Sequence, residues 1–197
     1  MKDKKELMPF LKNENHPGTI KMTQKNIHKI LIANRGEIAS RIIFTAQKMG
    51  ISTVLPITRE ESGTLPARQA DEISLFESSN LLDTYLNADK LINIAKEFSA
   101  DAIHPGYGFL SEDPDFAAKV QNAGITWIGP SPKSIAQMGN KLEARKIAEK
   151  AGIHLTKALS GNSEEILDKH HLLSFPLLIK AAAGGGGKGM RIAQNSR

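Results

Sequence analysis

The stretch Ile27-His28-Lys29-Ile30-Leu31-Ile32-Ala33-Asn34-Arg35-Gly36-Glu37-Ile38-Ala39 decides how the chain is read. Ile27 to Ala33 is a short β-branched apolar run, the pattern of a buried strand. After a polar turn the period changes. Ile38, Ala39, Ile42, Ile43, Ala46 and Met49 recur at helical spacing, and Gly50 closes the helix. A strand feeding an amphipathic helix is a βα unit, and Ile51 to Ile57 supplies the next strand.

The same alternation continues downstream. Asp71 to Phe76 reads as a third, shorter strand. Ala88, Leu91, Ile92, Ala95 and Phe98 form the apolar stripe of a helix that packs on a sheet. Ala102 to His104 is another short strand, and Asp113 with Pro114 caps a helix bearing Phe116, Ala117, Val120 and Ala123. Ile125 to Ile128 is the last strand of this unit, and Gly129-Pro130-Ser131-Pro132 reads as a turn cluster ending its core. Three junctions, Met49-Gly50-Ile51, Ala123-Gly124-Ile125 and Ala151-Gly152-Ile153, each place a glycine where a left-handed C-cap leads out of a helix. The fold class is therefore α/β, an open, mainly parallel sheet with flanking helices.

A second unit follows. Residues 141 to 151 carry Ala144, Ile147, Ala148 and Ala151 on one helical face, and Ser163 is read as the cap of a helix running to about Ser174. Leu177 to Ala181 is a strand, Gly184 to Gly187 a turn, and Met190 to Ala193 the return strand. The domain reading is a disordered leader over 1–26, an α/β domain over 27–139 and the incomplete start of a second domain over 140–197.

Composition narrows the function. The net charge of +5 looks like a nucleic-acid signal until it is located. Residues 1 to 29 hold seven lysines against Asp3, Glu6 and Glu14, which leaves the remaining 168 residues close to neutral. No nucleic-acid partner is expected. The chain has no cysteine, which removes disulfides, thiol nucleophiles and cysteine-based zinc sites. No window reaches the roughly 18 apolar residues of a membrane span, so no membrane partner is expected, and the leader has no apolar core of a secretory signal. The leader also carries acids and no arginine, unlike a mitochondrial presequence. A cytoplasmic location is the expectation, with Met22 an alternative start. The six histidines show no metal-ligand spacing, and His170 and His171 are adjacent.

The chemistry concentrates in Leu178-Ile179-Lys180-Ala181-Ala182-Ala183-Gly184-Gly185-Gly186-Gly187-Lys188-Gly189-Met190-Arg191. Glycines let successive backbone NH groups approach phosphate oxygens, and Lys180 adds charge from the strand end. Gly184, Gly186 and Gly189 formally match a dinucleotide fingerprint, but that motif opens a helix, whereas Met190 to Ala193 reads as strand. Nor is this a P-loop, since Gly189 stands where Ser or Thr is required. A strand-turn-strand flap over a polyphosphate is the remaining chemical reading, beside a plain flexible hairpin.

Two other segments leave the C-terminal ends of predicted strands, the edge where open α/β sheets bind ligands. They are Ile32-Ala33-Asn34-Arg35-Gly36-Glu37-Ile38-Ala39 and His104-Pro105-Gly106-Tyr107-Gly108-Phe109-Leu110-Ser111-Glu112. Taken singly, the first also suits an ordinary strand-to-helix turn, and the second a β-turn with Tyr107 and Phe109 in the core.

Together with Met138-Gly139-Asn140-Lys141 and the glycine hairpin, in this order, these segments resemble the biotin carboxylase family over residues 27 to 197. The resemblance implies a biotin carboxylase N-terminal domain followed by the start of an ATP-grasp domain. In that family ATP phosphorylates bicarbonate, and the carboxyphosphate delivers CO2 to biotin. By matching motif positions, Lys141 and Lys180 would contact ATP phosphates, Gly186 and Gly187 would belong to the flap, and Met190 would pack near adenine. Tyr107 and Gly108 would lie near biotin. Lys188 stands where some members carry arginine, which keeps the charge.

The resemblance further implies Mg2+ and biotin as cofactors of the parent enzyme, and a biotin carboxyl carrier protein and a carboxyltransferase component as partners. Homodimers are common in the family, and acyl-CoA carboxylases of fatty acid metabolism are among its settings. The family's magnesium-holding glutamates and its bicarbonate and biotin-enolate basic residues lie beyond the matched segment, so no catalytic or metal residue is assigned within it. Lys141 and Lys180 together contribute roughly 3 to 6 kcal/mol as charged hydrogen bonds, short of the about 8 that micromolar binding needs. The expectation is that this chain alone does not cleave ATP. Two other readings remain open from the sequence, a noncatalytic module that docks on an intact carboxylase subunit and a fragment of another ATP-grasp ligase.

Overall fold

The computed structural model of the chain describes residues 26–180 and 190–195. The leader reading falls on residues that, apart from Asn26, lie outside this range. Five parallel strands form one sheet: β1 (Lys29–Ile32), β2 (Ser52–Ile57), β3 (Glu72–Leu75), β4 (Ala102–His104) and β5 (Thr126–Trp127). Their order is β3-β2-β1-β4-β5. The chain thus builds outward from β1 in one direction, then returns to its other side. β1 and β4 are the pair across which the winding reverses.

Burial of β1 on both faces explains its unbroken apolar run. Ile30 and Ile32 enter one core with Leu55, Ile57, Ala39, Ile43 and Ala46, under α1 (Gly36–Lys48) and α2 (Leu65–Gln69). Leu31 points into the opposite core with Val54, Ile103, Leu91, Phe116 and Val120, under α3 (Ala88–Glu97) and α4 (Pro114–Asn122). Each fully buried aliphatic side chain of this kind contributes about 1.5 to 3 kcal/mol. The helix ends obey local chemistry. Asn87 and Asp113 accept hydrogen bonds from the first-turn amides of α3 and α4. The three glycines read as left-handed C-caps do have positive φ, 69° at Gly50, 77° at Gly124 and 72° at Gly152.

The structure departs from the sequence reading at four places. Residues 129–132 do not end the core: Ser131 accepts from the Ser134 amide and caps α5 (Pro132–Gly139), whose Ile135 is buried in the α3/α4 core. Proline at the first helical position starts this helix where the turn residues alone predict a loop. A short α2, with Pro66 in its first turn, fills the connection after β2. Helix α6 (Lys141–Lys150), by contrast, follows the reading of residues 141 to 151 and begins directly behind the Asn140 cap. In α7 (Ser163–Lys169) the cap is Asn162, not Ser163, because Asn162 and Glu165 exchange backbone bonds in a capping box. That helix stops at Lys169, and a 3-10 turn, His170–Leu172, replaces its expected continuation to Ser174.

Beyond α7, β6 (Leu177–Ile179) and β7 (Arg191–Ala193) pair antiparallel. No described residue from 140 onward is buried, and Leu178, Ile179 and Ile192 stand more than half exposed. The apolar surface of this hairpin is open on both faces.

Candidate functional site

At the reversal point, the ends of β1 and β4 meet in a polar lattice. Asn34 follows β1 and is fully buried. Its Nδ2 donates to the carbonyls of Pro105 and Tyr107, each at 2.8 Å, and its Oδ1 accepts from the Arg35 amide at 2.9 Å. The loop from Pro105 to Leu110 is therefore tied to β1 from below. Gly106 is needed at its centre: φ is +66°, and a Cβ there would stand 2.6 Å from Ile38 Cγ2 and 2.8 Å from Asn34 Nδ2.

The loop splits its two aromatic residues between core and solvent. Tyr107 is 61% exposed, so the core reading fails for it, and its hydroxyl donates to the Glu37 carboxylate in the first turn of α1. Phe109 packs on the core and stacks on Tyr85 at 5.2 Å. The Arg35 guanidinium lies 5.6 Å from both ring centroids and reaches Glu61 Oε1 at 3.1 Å. Beneath it, the Tyr85 hydroxyl bonds Glu61 Oε2.

Electrostatics follow from these contacts. Burial works to raise the Glu61 carboxyl, but hydrogen bonds from Tyr85, the Thr58 amide, Arg35 and the Thr58 hydroxyl outweigh it and hold it below the ordinary carboxylate value. Burial, reinforced by the Glu61 carboxylate, pushes the Tyr85 phenol well above its ordinary value. Burial lowers His104, whose Nδ1 accepts from the Gly106 amide at 3.0 Å, so the neutral ring carries its proton on Nε2. His104, Tyr107, Glu37 and Arg41 form a polar margin to a groove of roughly 670 Å³ that is otherwise lined mainly by isoleucines of α1 and the neighbouring strands.

The remaining sequence-predicted residues lie on other elements. Lys141 is the first residue of α6 and exposed. In the antiparallel ladder Ile179 faces Arg191, and Lys180 and Met190 are the residues next to that pair in sequence. Both are exposed. Gly186 and Gly187 lie outside the described residues. The structure thus brings Tyr107 with Gly108 to the sheet edge, and leaves Lys180 and Met190 beside the last pair of the β6–β7 ladder. Among the described residues no group of three or more histidine, aspartate or glutamate side chains could hold a metal ion. No helix among them is long and apolar enough to cross a membrane.

Sequence reasoning missed Glu61 and Tyr85. The one local signal is Thr58-Arg59-Glu60-Glu61, whose capping-box spacing is realised in the 3-10 turn Arg59–Glu61. Nothing near Tyr85 marks it as the partner of a residue 24 positions earlier.

Comparison with known proteins agrees with this geometry. Residues 26–135 match the family model "Biotin carboxylase, N-terminal domain", and residues 140–197 match "Carbamoyl-phosphate synthase L chain, ATP binding domain". Biotin carboxylase 2 of Bacillus subtilis is 44% identical over 170 residues, covering 85% of this chain and 38% of that protein. The mitochondrial propionyl-CoA carboxylase alpha chain of Caenorhabditis elegans is 42% identical over 184 residues, covering 90% of this chain and 25% of its own length. The chain therefore spans a quarter to two fifths of these relatives.

Among solved structures, the biotin carboxylase domain dimer of Hydrogenobacter thermophilus 2-oxoglutarate carboxylase, in complex with MgADP, ADP and bicarbonate, superposes with a TM-score of 0.80 at 41% identity. That match covers 87% of this chain and 38% of the other. The Campylobacter jejuni biotin carboxylase gives 0.79 at 35% identity, covering 87% and 39%. With its parallel sheet, its Asn34-anchored loop and its antiparallel β6–β7 pair, the chain belongs to the biotin carboxylase N-terminal domain family, joined to the start of an ATP-grasp domain.

Proposed function

We propose that the polypeptide bearing this sequence works as a biotin carboxylase, using ATP and bicarbonate to carboxylate biotin held on a carrier protein. The observation that carries this reading is the Tyr107–Gly108 loop, held open to solvent at the reversal point of the sheet, where ligands bind in open α/β folds. The hairpin fits the nucleotide end. Its ladder ends at the Ile179–Arg191 pair, and Lys180 and Met190 are the described residues that follow and precede it in the chain.

In this reading Lys141 and Lys180 hold ATP phosphates, Gly186 and Gly187 belong to the covering flap, and Met190 packs near the adenine. Tyr107 and Gly108 line the approach of biotin. ATP with Mg2+ supplies the phosphoryl group that activates bicarbonate, and the protein's part is positioning and charge neutralisation. The partners in this reading are a biotin carboxyl carrier protein and a carboxyltransferase component, and the domain dimer of the Hydrogenobacter neighbour is the parallel that supports a homodimer. A cytoplasmic location is part of this reading and is checked by cell fractionation.

The test is ATP hydrolysis by the native polypeptide, captured with an antibody to residues 27–197, with free biotin as acceptor. Phosphate release that requires both bicarbonate and biotin is expected. Lys180→Met should raise the KM for ATP about tenfold or more, the loss of one charged hydrogen bond, and leave the KM for biotin unchanged. Tyr107→Ala should do the reverse. Hydrolysis indifferent to bicarbonate and driven by another acceptor would assign the polypeptide to a different ATP-grasp ligase.

A further inference from the structure

We propose that Asn34 is a positioning residue that sets the placement of Tyr107 from across the reversal point of the sheet. Its functional meaning rests on the reading of Tyr107 as the residue beside biotin, whereas the placement itself is a property of the free chain.

Asn34 is buried completely, so its polar atoms have no water to fall back on. The carboxamide uses both donor directions on one loop, at the Pro105 and Tyr107 carbonyls, and its oxygen takes the Arg35 amide. Those two carbonyls flank Gly106, so a single planar group fixes the backbone on both sides of the residue with positive φ. The Cβ-free space at Gly106 is what lets the amide come this close.

No other side chain of this size makes the same set of bonds. Aspartate would point an acceptor at two carbonyls, and leucine would leave both unsatisfied. With the backbone held, the Tyr107 side chain leaves the loop toward α1, and its hydroxyl meets Glu37. That contact is the reporter: the hydrogen bond to Glu37 raises the Tyr107 phenol above its ordinary value.

The chain has two tyrosines, so tyrosine labelled at Cζ gives two NMR signals, which Tyr85→Phe assigns. In the unmodified 197-residue chain the Tyr107 phenol should titrate above a free tyrosine, and Glu37→Gln should bring it down. Asn34→Leu, which keeps the approximate size, removes both donors and adds no charge, should bring it down as well, with the Tyr85 signal retaining its native shift. A Tyr107 titration unchanged in Asn34→Leu overturns the proposal. Should that variant unfold, hydrogen exchange of the Asn34 carboxamide in the unmodified chain decides: strong protection supports the clamp, and exchange at the rate of a free amide overturns it. Biotin binding by Tyr107→Ala is read separately, so failure of the biotin reading leaves both NMR outcomes standing.

Discussion

The Tyr85 hydroxyl donates to Glu61 Oε2 at 2.6 Å, with the Pro56 carbonyl at 3.0 Å as a second acceptor, and so links the core of the sheet to the turn that carries Glu61. Tyr85 is fully buried and also forms the floor on which Phe109 stacks. Tyr85→Phe keeps the stack and removes a hydrogen bond to a charged acceptor. It should destabilise the chain by about 1.5 to 3 kcal/mol, measured by urea unfolding.

Acid should weaken the fold in two windows. His104 has a depressed pKa in the folded state, so the unfolded chain binds its proton first, and stability falls as pH drops below 6.5. Glu61 is likewise depressed, and its contribution is present above 4.5 and lost as pH falls further. Tyr85 acts with the opposite sign: its raised pKa makes stability decline as pH climbs past 10.0. Melting temperature against pH should therefore lose its upper acid step in His104→Gln, weaken its lower one in Glu61→Gln and lose most of its alkaline decline in Tyr85→Phe, the exposed Tyr107 supplying the smaller remainder. Profiles identical to the parent would refute the assignments.

Two glycines of one loop should respond differently to alanine. Gly106 and Gly108 have nearly equal φ, +66° and +70°, so both substitutions carry a backbone cost of about 1 to 2 kcal/mol. At Gly108 a Cβ meets nothing within 4 Å, whereas at Gly106 it collides with Ile38 and Asn34. Gly106→Ala should cost about 1 to 3 kcal/mol more than Gly108→Ala in chemical denaturation. Equal losses would mean that the loop lifts freely away from Asn34.

The capping box of α7 gives a sharper contrast. Asn162→Ala removes the acceptor for the Glu165 amide and should destabilise the helix by about 1 kcal/mol, while Ser163→Ala should be close to neutral. Amide exchange in residues 163–169 measures both, and a larger effect at Ser163 would restore the sequence-based cap.

What could be read from sequence was what local chemistry controls. β1 and α1 showed their periods, the Asp113-Pro114 pair marked α4, and the glycines after Met49, Ala123 and Ala151 took the expected left-handed geometry. Helix α5 stayed hidden because Gly129-Pro130-Ser131-Pro132 carries turn residues and helix-start residues together, and burial of Ile135 decided between them. At the site, the exposed glycine-rich loop with Tyr107 was legible. The Arg35, Glu61, Tyr85 and Phe109 cluster was not, because it depends on a strand order that brings distant segments together.

The latch from Asn34 to the 105–110 loop joins partners 71 and 73 residues apart. β1, α1 and β2 can assemble from neighbouring sequence, but this closure has to wait until β4 has reached the far side of β1. The loop proposed to receive biotin therefore takes its shape only once β4 has docked on β1, and loses it when the β1–β4 seam opens.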